Sequence, residues 1–163
     1  MIVGRGLLAR AFAPRYGHAP GIVVFASGVS NSSETDEAAF LREQDLLQRS
    51  LADATRLVYF SSCGVVAGDE PTPYMRHKAR MEARVLASPG GLVLRLPQVV
   101  GRTDNPHTLT NFLYRHIADG KPFEIWAQAE RNLIDVDDIV AIGSGMIDAG
   151  GEVAWFHPTR FGR

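Results

Sequence analysis

Short apolar runs alternate with stretches of helical periodicity along most of this chain. The runs at 21–26, 57–60 and 92–96 are strongly apolar, and continuous runs of this kind are typical of strands covered on both faces. Between the first two, Phe40 and Leu47 recur at the spacing of an amphipathic helix. The alternation predicts an α/β fold in which a parallel sheet carries helices on both faces.

Capping and turn residues bound the remaining elements. Further strands are expected at 2–3, 123–126 and 153–156. Helices are expected to begin at Leu7 and after the capping segment 33–36. Another is expected over 74–86, with Thr72 as its cap and Pro73 at its first position. Two more are expected over 109–117 and over 139–147, the last capped by Asp135 or Asp137.

Composition narrows the class of protein. The 163 residues suit one domain, and a net charge of −1 with dispersed basic residues argues against a nucleic-acid or membrane-surface partner. Cys63 is the single cysteine, which fits a reducing compartment. No apolar run approaches the roughly 20 residues of a membrane span, and Arg5 and Arg10 interrupt the N-terminal apolar stretch. We therefore expect a cytoplasmic protein.

A glycine turn follows the first short strand. Gly4, Gly6 and Ala9 form the pattern G-x-G-x-x-A, in which a helix N-terminus can hold a dinucleotide pyrophosphate. A tight turn that binds nothing fits the same residues equally well. The acidic residue expected roughly 20 positions later, on the ribose hydroxyls, is missing from 20–24.

Tyr74 and Lys78 form a second candidate site. Residues four apart share a helix face, and a nearby ammonium would lower the pKa of the phenol, so that Tyr74 could act as an acid/base. The alternative is a packed tyrosine and a solvated lysine. The pair follows a strand that ends in Ser61, Ser62 and Cys63. The two serine hydroxyls could bind a substrate oxygen or satisfy a turn. We expect no catalysis by the thiol.

Other charged residues carry weaker hypotheses. Arg95, Arg102 and Arg131 could bind a phosphate, although surface arginines usually do not. No metal is expected, because metal-ligand spacing is lacking among His107, His116 and His157.

Four stretches, in order, resemble the extended short-chain dehydrogenase/reductases, and within them the NAD-dependent nucleotide-sugar epimerases and dehydratases. They are VYFSSCGVVAGD at 58–69, PYMRHKARME at 73–82, LRLPQVVG at 94–101 and the segment 120–138.

The resemblance implies a single Rossmann-like domain over 1–163, with substrate-side elements within about 98–163, that binds NAD or NADP. Tyr74 would be the acid/base, and Lys78 would bind the nicotinamide ribose and lower the tyrosine pKa. Gln98 and Arg131 would contact the nucleotide-sugar phosphates. The cofactor cleft would be lined by Gly4, Gly6, Ala9, Ala26, Ser27, Ser61, Lys78 and Pro97.

The chain also departs from this family. Only 13–21 separate the first helix from the next strand, so part of the adenine-binding half is lacking, as is most of the substrate domain. Cys63 stands at the position of the catalytic Ser/Thr, so either Ser62 would have to substitute for it or the Cys63 thiol would serve as a weaker donor.

Two functions are therefore carried forward. One is an NAD(P)-dependent epimerase/dehydratase-like oxidoreductase acting on a nucleotide-activated sugar in surface polysaccharide synthesis. The other is a non-catalytic binding or regulatory subunit. Both allow a homodimer that packs through the helix after Asp36 and the helix from Tyr74, with an apolar outer face drawn from Leu41, Leu47, Met81 or Val85.

Overall fold

The computed structural model describes residues 1–66, 70–105, 108–125, 127–128, 130–151 and 153–155. Within these residues seven strands form two sheets, and both sheets are parallel. The strands are β1 (Ile2–Val3), β2 (Ile22–Phe25), β3 (Arg56–Ser62), β4 (Gly91–Leu96), β5 (Gln98–Val100), β6 (Leu133–Asp135) and β7 (Val153–Trp155). The helices are α1 (Leu7–Tyr16), α2 (Glu37–Ala52), α3 (Pro73–Leu86), α4 (Leu109–Ala118) and α5 (Val136–Ala149).

The main sheet has the strand order β1-β2-β3-β4-β7, and β5 pairs with β6 in the second sheet. In the main sheet Val3 is level with Phe25, Phe25 with Tyr59, and Ser62 with Leu96. Because the strands are parallel, the loops that follow them leave from one edge of the sheet. The Rossmann-like α/β fold class expected from the sequence is confirmed.

Each face of the main sheet has its own core. On one face α1 and α5 pack through Phe12 and Ile139, and on the other α2 and α3 pack through Leu47 and Met81. Alternate residues of β2 serve the two faces, since Val24 joins the first core and the flanking Val23 and Phe25 join the second. This double coverage explains the unbroken apolar runs.

The expected helix caps are present. The Asp36 carboxylate accepts the Ala38 N–H, the Thr72 hydroxyl accepts the Met75 N–H, and the Asp135 carboxylate accepts the Asp137 N–H. Asp135, rather than Asp137, is therefore the N-cap of α5.

Two short strands were missed and one was wrongly expected. The pairing of β5 with β6 was not anticipated, and residues 123–125 are not a strand. Trp126 and Phe156, which were placed in strands, lie outside the described residues, as do 67–69 of the family-like stretch.

The expected outer apolar face is largely wrong. Leu47, Met81 and Val85 are fully buried against the sheet of their own chain, and of the four named residues only Leu41 is exposed, at 55%. An amphipathic helix turns its apolar stripe to the nearest apolar surface, which here is the sheet. Within the described residues, no helix combines the length and hydropathy needed to cross a membrane.

Replacing Phe12 by alanine should destabilise the fold strongly. The ring is fully buried between α1, α5 and the sheet, and loss of a buried phenylalanine costs about 3–5 kcal/mol. Urea unfolding should show a loss of this size for Phe12→Ala and a much smaller one for Phe112→Ala, whose ring is 41% exposed. Equal losses would contradict the assignment of the core.

Candidate functional site

The candidate site lies where the loops after β1 to β4 leave the sheet. The loop after β1 and the loop after β2 touch closely at Gly4 and Ala26. A Cβ on Gly4 would stand 2.4 Å from the Ala26 carbonyl oxygen, and Gly4 has a φ of +124°. Only glycine suits this position, since it tolerates both the close approach and the positive φ.

The N-terminus of α1 is open toward this edge. Gly6 is the N-cap, and no side chain among the described residues caps the helix. None of the described atoms lies within 4 Å of a Cβ built on Gly6, whereas Ala9, one turn later, is buried. The first turn of α1 thus presents backbone N–H groups that could donate hydrogen bonds to a negatively charged group.

Tyr74 lies at the start of α3, and the Ser62 side chain at the end of β3 acts on its phenol. Burial raises the pKa of Tyr74 to about 12; the charge of Glu43 adds to this, and a hydrogen bond with the Ser62 side chain opposes it. The expectation that the tyrosine pKa is lowered is therefore wrong. Tyr74 is a protonated phenol at neutral pH.

The residues beside Ser62 differ in their surroundings. Ser61 is buried, and its hydroxyl has no hydrogen-bond partner among the described residues. Cys63 donates its S–H to the Arg95 carbonyl at 3.5 Å, and burial raises the pKa of this thiol. Of the two residues, Ser62 is the one whose side chain acts on the Tyr74 phenol, whereas the Cys63 thiol is directed to the Arg95 carbonyl.

Lys78 occupies a buried network that was not expected. Its Nζ donates to Glu43 Oε1 at 3.1 Å and to the Tyr59 hydroxyl at 2.9 Å, and it lies 5.8 Å from the centre of the Tyr74 ring. Tyr59 in turn donates to Glu43 Oε1 at 2.6 Å. Lys78 is therefore not the solvated lysine of the alternative interpretation.

Glu43 receives two further donors on its other oxygen. Oε2 accepts the Val29 N–H at 2.6 Å and His77 Nε2–H at 3.0 Å. Burial alone would raise the pKa of Glu43, but His77, Lys78, Tyr59 and Val29 together outweigh it and lower that pKa to about 2. The carboxylate is ionised, with every donor aimed at it.

A signal for Glu43 was present in the sequence. Glu43 stands three residues after Phe40 and four before Leu47, on the apolar stripe of α2. A charged residue on such a stripe is buried with a partner or marks a site. The partners His77 and Tyr59 come from other elements, so the sequence offers no spacing that would reveal them.

The substrate-side residues fall on the second sheet and its approach. Pro97 joins β4 to β5, and the Gln98 N–H donates to the Asn132 carbonyl at 3.0 Å, next to the exposed Arg131. Gln98 and Arg131 thus lie on neighbouring segments; no contact with Tyr74 is described for either. Arg95, a candidate phosphate ligand, instead forms a two-pronged ion pair with Glu82.

No group of three or more His, Cys, Asp or Glu among the described residues is placed to hold a metal ion. His107 and His157 lie outside those residues.

The sequence profile of the NAD dependent epimerase/dehydratase family matches residues 9–153. The chain belongs to this family. No curated protein matches it in sequence.

Solved epimerases and dehydratases share the fold. DesIV, a dTDP-glucose 4,6-dehydratase from Streptomyces venezuelae with NAD bound, superposes with a TM-score of 0.69 at 20% identity, over 91% of this chain and 54% of its own. MoeE5 in complex with UDP-glucose and NAD gives 0.66 at 23% identity, over 83% and 56%. A UDP-glucuronic acid 4-epimerase variant from Bacillus cereus gives 0.65 at 15% identity, over 85% and 54%. This chain spans about half the length of these structures.

In this chain, the described residues fit one part of a dinucleotide well, namely its pyrophosphate. The uncapped N-terminus of α1 suits a pyrophosphate, and the unpartnered hydroxyl of Ser61 is a buried polar atom that a ligand or water could satisfy. On the adenosine side β2 follows α1 directly, and 20–24 supply no acid for the ribose.

Acid should weaken the fold through Glu43. A carboxyl with a folded pKa lowered from 4.5 to about 2 contributes stability that is present above pH 4.5 and lost as the pH falls toward 2. The loss amounts to about 3 kcal/mol. Urea unfolding at several pH values should show this acid-dependent loss of stability in the wild type and in Glu37→Gln, which removes an exposed carboxyl. The loss should be missing in Glu43→Gln. The same pH dependence in all three proteins would contradict the network.

Proposed function

We propose that this chain is an NAD(P)-dependent epimerase/dehydratase-like oxidoreductase that acts on a nucleotide-activated sugar. The observation that carries the proposal is the placement of Tyr74, paired with Ser62, at the sheet edge where the uncapped N-terminus of α1 also opens. In parallel α/β sheets this edge is the usual binding site. Because activated sugars are building blocks of polysaccharides, surface polysaccharide synthesis is the pathway that we infer.

Different residues of the chain would bind different parts of the cofactor and the substrate. Gly4, Gly6 and Ala9 leave room for a pyrophosphate at the start of α1, while Ala26, Ser27, Ser61 and Pro97 line the cleft. When bound, the cofactor would supply the chemistry of hydride transfer at a sugar carbon. Gln98 and Arg131 would bind the phosphates of the sugar nucleotide from the substrate side.

Tyr74 would exchange the proton at the sugar oxygen. A phenol whose pKa is raised to about 12 carries its proton at neutral pH, so the resting site is prepared to donate a proton to that oxygen. Ser62, which hydrogen-bonds the phenol, would hold it toward the oxygen and favour its ionised form. The resting state thus suits the reducing direction, in which a carbonyl oxygen becomes a hydroxyl.

A second candidate is a non-catalytic binding or regulatory subunit. It is favoured by the short connection between α1 and β2, by the lack of an acidic residue at 20–24 and by the thiol at Cys63. In this case Tyr74→Phe should leave function in cells intact.

Cofactor binding should depend on the open turn at Gly6. Calorimetric titration with NAD, NADH, NADP and NADPH should detect binding to the wild type. Gly6→Asp would cap α1 with a carboxylate and repel a pyrophosphate, so the dissociation constant should rise by roughly tenfold or more.

Gly145→Asp is the matched control, since it adds the same charge at an exposed position of α5 that also has open space around it. Absence of binding by all four dinucleotides would reject the enzyme and leave the binding subunit as the leading candidate.

Loss of the Tyr74 hydroxyl should abolish chemistry without preventing binding. Tyr74→Phe keeps the ring, which packs beside Val29 and Phe40, and removes the proton donor. Turnover of an active sugar nucleotide should fall by roughly 100-fold or more, while the dissociation constant for the dinucleotide changes little. Tyr114→Phe, at a side chain that is 72% exposed, is the control. Unchanged turnover in Tyr74→Phe would exclude Tyr74 as the acid/base.

A further inference from the structure

Lys78 is a buried cation with two hydrogen-bond acceptors among the described residues. Its side chain is 3% exposed, and two donated hydrogen bonds reach Glu43 Oε1 and the Tyr59 hydroxyl. A buried ammonium without a negative partner would lose its proton, because burial disfavours the charged form. Glu43 forms the one ion pair described for Lys78.

The loop after β2 completes the enclosure. A Cβ built on Gly28 would stand 2.7 Å from Lys78 Nζ and 2.8 Å from Glu43 Oε1, so the backbone of this loop lies directly against the ion pair. Gly28 directly follows Ala26 and Ser27, which would line the cofactor cleft. The ammonium is therefore held just beneath the proposed cofactor-binding loop.

Four hydrogen-bond donors hold the Glu43 carboxylate in place. Its donors come from the loop after β2 (Val29), from β3 (Tyr59) and from α3 (His77 and Lys78). The His77 ring also stacks on Phe40 of α2, with 4.6 Å between the ring centres. A carboxylate with this many donors has one position available, and it imposes that position on Lys78.

We propose that Glu43 is the fixed counter-ion of Lys78 and the positioning residue that keeps its ammonium charged and aimed at the candidate site. The expected effect on cofactor binding rests on the proposed function. The pairing of Glu43 with Lys78 does not. Lys78, not Glu43, would touch the cofactor.

The electrostatic surroundings agree with this role. Burial lowers the pKa of Lys78, and Glu43 acts against that fall, with a smaller contribution from Glu82. The titratable groups that face the ammonium are Glu43 from α2, Tyr59 from β3, and Tyr74, His77 and Glu82 from α3. Among these, Glu43 is the carboxylate in contact.

Lysine NMR can test the pairing directly, because the chain has only two lysines, Lys78 and Lys121. With lysine labelled at Cε and Nζ, Lys78 should be charged at pH 7 in the wild type. In Glu43→Gln the pKa of Lys78 should fall by roughly one to three units. The exposed Lys121, paired with Asp119, should titrate unchanged as the internal control. A neutral Lys78 in the wild type, or an unchanged pKa in the variant, would overturn the proposal.

Glu43→Asp is the milder variant, in case Glu43→Gln does not fold. It keeps the charge but withdraws the carboxylate by one methylene, so the pKa of Lys78 should fall in the same direction by a smaller amount. A folded Glu43→Asp with an unchanged Lys78 would also overturn the proposal.

Dinucleotide binding gives the functional readout. In Glu43→Gln the dissociation constant for NAD should rise by roughly tenfold at pH 8 and recover as the pH falls below the new pKa of Lys78, because acid restores the charge. A merely structural role predicts no such recovery, so its absence would reject the positioning role. If the wild type binds no dinucleotide, the proposed function fails, while the lysine titration still decides whether Glu43 is the counter-ion.

Discussion

One buried carboxylate joins the segments that build the candidate site. Glu43 binds the loop after β2 through Val29, the central strand β3 through Tyr59, and α3 through His77 and Lys78. The apolar cores hold the helices on the sheet, but apolar packing is not directional. The hydrogen bonds to Glu43 are directional, so they fix how α3, with Tyr74 at its start, is placed along β3. The cost of burying these charges is met by pairing each with a partner.

Sequence patterns predicted what depends on local spacing. The four-residue interval between Tyr74 and Lys78 and the cap at Thr72 are local, and the structure contains both. The Glu43 network could not be predicted in this way, because its hydrogen-bonded pairs lie up to 35 residues apart in sequence. The pairing of β5 with β6 was not predicted for a related reason. Each strand has three residues, which are too few for a periodic signal, and only the fold brings the two strands together.

The topology contains a feature that general rules would not suggest. The chain steps in one direction across the sheet from β1 to β2 to β3, yet α1 packs on one face and α2 on the other. Two parallel connections that step the same way on opposite faces must have opposite hands. Nearly all such connections are right-handed, so one of these departs from the rule. The segment between α1 and β2 is short and contains no further strand, so the chain passes from α1 directly to β2.

The same short connection shapes the chemistry that the site can support. With β1 at the edge of the sheet, a dinucleotide would find an anchor for its pyrophosphate at α1 but little protein around its adenosine. Under the proposed function, binding would then depend more on the nicotinamide side, to which we assign Ser61, Tyr74 and Lys78. A charged Lys78 matters more in such a site than in one that grips both ends of the cofactor. Glu43 is paired with Lys78 beneath the loop at Gly28, and under the proposal cofactor binding therefore depends on it although it does not touch the cofactor.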